Sequence, residues 1–147
     1  MKENMKRIEE MTRLSISEVF EKMFFLFLEP PDDEESAYDM EAAIRFGGPV
    51  KGEMRILLTK DMAKTMVHNM LSLEGDEVVA QRIADCSKEA ANMICGDFLG
   101  KFDSTRVFTL SAPTFREQIG NLEPAENACR MDFDSDGQKV GIIVEID

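Results

Sequence analysis

Residues 76–100 read DEVVAQRIADCSKEAANMICGDFLG. Wound at about 100° per residue, Val79, Ile83, Cys86, Ala90, Met93, Ile94 and Phe98 gather on one broad apolar side, which predicts an amphipathic helix. Beside that side Asp85, Glu89, Asn92 and Gly96 recur at spacings of four, three and four and fall within an arc of roughly 60°. The polar face of an ordinary helix accounts for Asp85 and Glu89. It accounts less well for Asn92 and Gly96, since both residue types are unfavourable in a helix interior. A glycine one turn beyond Asn92 lowers the rim and lets another surface approach. The stripe is therefore expected to face solvent or a partner, and Gly100 is a plausible stop.

The segments around this helix set the fold class. Apolar residues at Met5, Ile8, Met11, Leu14, Val19, Met23 and Phe27 keep a helical period, so residues 3–28 are read as a long helix ended by Pro30 and Pro31. Ser15 with Glu18 resembles a capping box and marks a point for a break or restart. PDDEESAYD (31–39) is an acidic connector. MEAAIRF (40–46), GGPVKGE and MRILL (54–58) read as a hairpin. TKDMAKTMVHNML (59–71) is a short capped helix whose Met62, Met66, Val67 and Met70 are expected in the core. RVFTLSAP (106–113) reads as a strand ended by Pro113. ACRMDFD and KVGIIVEID flank SDGQ, a second hairpin. The expectation is an α+β fold, an antiparallel-rich sheet with three main helices packed over it. One domain is expected over 1–147, with 1–39 its N-terminal helix and acidic loop.

Bulk properties remove whole classes of function. With 147 residues, 44% of them apolar, the chain can build a real core. Its 29 acidic and 17 basic residues give a net charge of −12. That argues against nucleic acid, which needs clustered Lys and Arg, and against an anionic membrane surface. The longest apolar run, MFFLFL (23–28), falls short of the roughly 20 residues of a membrane span. MKENMKRIEE carries no apolar leader segment, and three cysteines with no CxxC fit a reducing cytoplasm. The single His68 sits in a helical pattern, where a structural role is expected, and neither a His-rich metal site nor a Ser-His-Asp triad is legible. DFDSDG (132–137) opens like a calcium loop, but its twelfth position is Ile143 instead of a bidentate Glu, and its flanks read as strands. No metal site is expected.

The spelling Glu89-Ala-Ala-Asn92-Met93-Ile-Cys-Gly96 resembles the active-site helix of the CheC/CheX/FliY chemotaxis phosphatases. That family's pattern is an Asp or Ser, three residues, Glu, two residues, Asn, then a distant Pro; Asp85, Glu89, Asn92 and Pro113 match it in order. GGPVKGEMRILL is similar to the family's first strand pair and LSAPTF (110–115) to its strand after the helix. The resemblance spans roughly residues 40–116. A single motif copy makes the chain most like the CheX members. The 20 residues between Asn92 and Pro113 are slightly fewer than usual in the family, which suggests a trimmed connector.

What the resemblance implies is a cytoplasmic phosphatase acting on the phosphoaspartate of a CheY-like response regulator. Asn92 would hold a water in line with phosphorus, because its amide offers a donor and an acceptor at fixed geometry. Glu89 would make a charge-assisted contact to a lysine of the partner. Asp85 would be a rim contact and Gly96 would permit close docking. Mg2+ would belong to the regulator, with no cofactor in this chain. A homodimer joined edge to edge is implied, and Val140–Ile146 is the apolar edge candidate. Two other readings stay open at this point: a non-catalytic regulator-binding module on the same fold, and a structural domain whose stripe is only solvated.

Overall fold

The computed structural model describes residues 2–31, 37–73, 75–119 and 126–147. Its elements run α1 (Lys2–Phe24), β1 (Met40–Gly47), β2 (Gly52–Leu58), α2 (Lys60–Leu71), α3 (Asp76–Phe102), β3 (Thr109–Leu110), β4 (Thr114–Glu117), β5 (Ala128–Ser135) and β6 (Gln138–Ile146). Six strands form one sheet in the order β3-β1-β2-β6-β5, with β4 also paired to β1. Every pairing is antiparallel. This is the α+β architecture expected from the order of segments.

Alternation along the strands decides which sheet face the helices cover. Ala42, Ile44 and Phe46 of β1, Met54, Ile56 and Leu58 of β2, and Val140, Ile142 and Val144 of β6 are buried in the main core. The opposite face carries a small cluster of Tyr38, Leu57 and Ile143. It also carries ion pairs, among them Arg45–Glu53 at 3.4 Å and Arg116–Glu41 at 2.8 Å. Tight turns make the hairpins. Asp136 and Gly137 both take positive φ (51° and 84°) between Ser135 and Gln138, as the Asp-Gly pair predicts. The aspartates of DFDSDG serve this hairpin: Asp132 accepts the Tyr38 hydroxyl, and Asp134 pairs with Lys139 at 2.8 Å.

Several boundaries differ from expectation for identifiable reasons. α1 runs unbroken through Ser15, which is buried with Thr12, Ile16 and Phe20. The packing of α1 on α3 outweighs the local capping signal. The helix ends at Phe24 and not at Leu28. Phe25 turns left-handed (φ 55°), and the Asn69 amide of α2 donates to the Phe24 carbonyl at 2.8 Å, satisfying a free helix end. Gly100 does not stop α3, which continues to Phe102. The strand read over 106–113 shrinks to β3. Ser111, Ala112 and Pro113 then oppose only Ile44 and Arg45 of β1 before β4 resumes, which makes a bulge. Pro113, having no N–H, sits where no ladder bond is needed.

The largest correction concerns β6. Val140–Ile146 is not an edge: β6 pairs with β2 on one side and β5 on the other. Its continuous apolar run reflects a central strand. The acidic connector lies largely outside the described residues, at 32–36.

Candidate functional site on helix α3

α3 is built to expose a narrow strip. Asp76 and Glu77 stand in its first turn and Lys101 in its last, matching the helix dipole. Val79, Ile83, Cys86, Ala90, Ile94 and Phe98 are buried, and the helix packs on β1, β2 and β4 and between α1 and α2. Lys101 ties it to α1 by 2.9 Å contacts to Glu18 and to its own Asp97. A helix held on so many sides has its outward direction fixed.

On the open strip, Asp85, Glu89 and Gly96 are exposed and Asn92 is half-buried. The four residues singled out from the sequence thus share one outward line along α3. Met93 departs from expectation. The wheel puts it on the apolar side, yet it is 44% exposed. It lies only about 40° from Glu89, outside the arc that the sheet covers. Pro113 stands in the bulge of the edge strand, not on the line itself.

Among the described residues, the side chains of Asp85, Glu89 and Asn92 have no hydrogen-bond or ion-pair partner. A half-buried amide with no partner of its own is available to one from outside. A Cβ added at Gly96 or Gly100 would meet nothing within 4 Å. Packing within the chain therefore does not require glycine at either position.

The nearest nucleophile candidates are silenced by their surroundings. Burial, with the Glu89 carboxylate adding to it, pushes the Cys86 thiol up to about 12. Burial alone pushes Cys95 up to about 12. Both stay protonated near neutrality, and a thiol in that state is a poor nucleophile. His68 is engaged locally through Nδ1 with the Leu73 carbonyl. Among the described residues no group of three or more His, Cys, Asp and Glu is arranged to hold a metal ion.

A hollow of about 930 Å³ lies between the start of α1 and the end of β6, and none of the four stripe residues lines it. A shallow groove of about 220 Å³ touches the line, where Gly96 and Gly100 face Arg106, Phe108 and Leu110. Sequence reasoning missed this groove. Its one sequence signal was Gly100, four residues after Gly96. A small-molecule site is normally concave, whereas a ridge carrying unpaired polar groups suits insertion into another molecule.

The sequence model of the family described as chemotaxis phosphatase CheX matches residues 40–130, more than half of the chain. Among solved structures, a chemotaxis protein CheX from Vibrio vulnificus superposes with a TM-score of 0.80 at 21% identity, covering 96% of this chain and 99% of that one. A CheX from Desulfovibrio desulfuricans gives 0.79 at 17% identity, with coverages of 96% and 99%. A CheX-CheY-BeF3-Mg2+ complex from Borrelia burgdorferi gives 0.74 at 20% identity, with coverages of 93% and 96%. No curated protein matches the sequence.

Proposed function

The chain belongs to the chemotaxis phosphatase CheX family, and from that premise we propose that it hydrolyses the phosphoaspartate of a CheY-like response regulator. The observation that carries the proposal is the outward line of Glu89 and Asn92 on a helix that cannot turn, with neither side chain engaged inside the chain. The Borrelia burgdorferi structure, in which a CheX is in complex with CheY, supports a partner of this class.

An acyl phosphate is already activated, so no nucleophile from this chain is required. Water attacks phosphorus, the bond from phosphorus to the acyl oxygen breaks, and the aspartate carboxylate leaves with the electron pair. Both protons of the water end on inorganic phosphate. The catalytic task is to hold that water in line. Asn92 does so through its amide, which is neutral and costs less to desolvate in the partner's pocket than a charged group would. Glu89, about one turn earlier, pairs with a lysine of the regulator, fixes the register and loosens that lysine's hold on the phosphate. Asp85 contacts the rim and Gly96 lets the partner's backbone come close. The magnesium ion belongs to the regulator. The site of action is the cytoplasm. The protein works as a homodimer whose edge-to-edge contact uses an outer strand, since β6 is enclosed.

The test is decay of a phosphorylated regulator from the same organism, with and without the protein. Acceleration that Asn92→Ala abolishes, with Glu89→Ala weakening docking and turnover together, supports the proposal. Unaltered decay across that organism's regulators overturns catalysis. Binding without acceleration would assign the chain to a non-catalytic adaptor on this fold.

A further inference from the structure

The outward line of α3 ends against a loop that the proposed chemistry leaves unused. Beyond Phe102 the chain turns back through Asp103–Phe108, with no glycine in the turn. The Asp103 carboxylate accepts from the Thr105 N–H at 3.0 Å and its hydroxyl at 2.6 Å. The Arg106 N–H reaches the Asp103 carbonyl at 3.5 Å. The Phe108 ring packs edge-on against Phe102, with centroids 6.4 Å apart and planes at 84°. On the far side the loop rests on Gly48 (φ 134°), where a Cβ would come within 2.9 Å of the Val107 carbonyl oxygen. Anchored at both ends, the loop has little freedom.

This rigid loop presents Val107 at 86% exposure, the highest of any large apolar residue among the described residues. Beside it the Arg106 guanidinium is exposed, and its ion pair to Asp103 is long, at 4.0 Å. Arg106 and Leu110 also form one wall of the groove floored by Gly96 and Gly100. The same surface therefore runs from the Asn92 line, over Gly96 and Gly100, to Arg106, with the exposed Val107 next to it in the loop.

Interface size says what covers it. A specific protein contact covers about 800 Å² on each side, a patch on the order of 30 Å across. Gly100 is only about 12 Å from Asn92 along the helix. A protein docked tightly enough to admit Asn92 to its phosphate pocket reaches the loop. Charges of both signs stand along it: Asp85 and Glu89 with the exposed Arg82 at one end, Arg106 beside Asp103 at the other.

We propose that the Asp103–Phe108 loop is a second docking element for the same phosphorylated regulator, with Val107 its apolar anchor and Arg106 selecting regulators that carry a carboxylate at the facing position. This rests on the function proposed above.

The experiment measures KM and kcat for dephosphorylation, and Kd for the regulator, with wild-type protein, Val107→Ser and Arg106→Glu. The expected result is a KM and Kd raised about tenfold in each variant, with kcat falling far less and thermal unfolding unchanged. Amide hydrogen exchange of residues 103–108 in the wild-type protein should slow when regulator is added, a readout independent of any substitution. Wild-type dephosphorylation with unchanged KM and Kd in both variants and no protection of the loop overturns the inference alone. No dephosphorylation or binding by wild-type protein overturns the function and the inference with it.

Discussion

Gly96 stands one helical turn beyond Asn92 on the same outward line of α3, and a Cβ placed there would meet no neighbour within 4 Å. The chain thus keeps a helix-weakening residue where its own packing would accept alanine. Gly96→Ala is expected to stabilise the fold by ~0.5–1 kcal/mol in urea denaturation. It should also slow dephosphorylation of the regulator by about tenfold, through weaker docking. Opposite signs in the two assays are the distinguishing outcome. Equal activity would mean that the glycine does not serve partner approach.

The Glu89 carboxylate is exposed and has no hydrogen-bond or ion-pair partner among the described residues, and the proposed function assigns it to the regulator's lysine. Glu89→Gln keeps its size and removes the charge. Binding of the regulator should weaken and become less sensitive to added salt, since one attraction across the interface is gone. Titrations of wild-type and variant at low and high ionic strength measure this. Parallel salt dependences would place Glu89 outside the contact.

The three thiols make stability depend on alkaline pH. Burial pushes Cys86 and Cys95 up to about 12 and Cys129 up to about 11. The protonated thiol is the form favoured by the fold, so this contribution is complete below the unfolded value near 9. It is lost as pH rises through 9 towards 11–12, because the unfolded chain releases its protons first. Between pH 8 and pH 10 each thiol should cost about 1 kcal/mol of unfolding free energy. Urea denaturation under reducing conditions should show the slope, and a Cys86→Ala, Cys95→Ala double variant should flatten it.

Phe98 is fully buried under the stripe, its ring 6.4 Å from Phe46 and 6.1 Å from Phe102. It joins α3 to the sheet and to its own last turn. Phe98→Ala should destabilise by ~3–5 kcal/mol through the cavity it leaves, and Phe98→Leu by much less. Below the unfolding transition, the activity per folded molecule of Phe98→Leu should stay near wild type. A large specific loss there would show that the ring sets the position of Asn92 directly.

What could be read in the sequence was local and periodic. The helical period of residues 76–100 placed Asp85, Glu89, Asn92 and Gly96 on one line, because 3.6 residues per turn is a property of the backbone alone. Asp136-Gly137 marked its hairpin because only certain residues tolerate two successive positive φ angles. Methionines at Met62, Met66 and Met70 predicted the buried side of α2, and they pack in the core. Local signals misled where distant packing overruled them. Ser15 looked like a cap and is instead buried in an unbroken helix, while Gly100 looked like a stop and lies within α3.

Only the tertiary structure decided how these pieces border one another. Strand order is set by pairings across the whole chain: Met54 meets Val144, 90 positions away, and β6 becomes central instead of an edge. No period in β6 records that neighbour. The exposure of Met93 and the groove beneath Arg106 depend in the same way on where the sheet and the neighbouring helices stop covering α3. The sequence alone determined which residues share the outward line, because a helix relates side chains by a fixed local rotation. Whether that line stays open, and what surface lies beside it, follows from contacts between segments far apart in the chain, which local geometry does not encode.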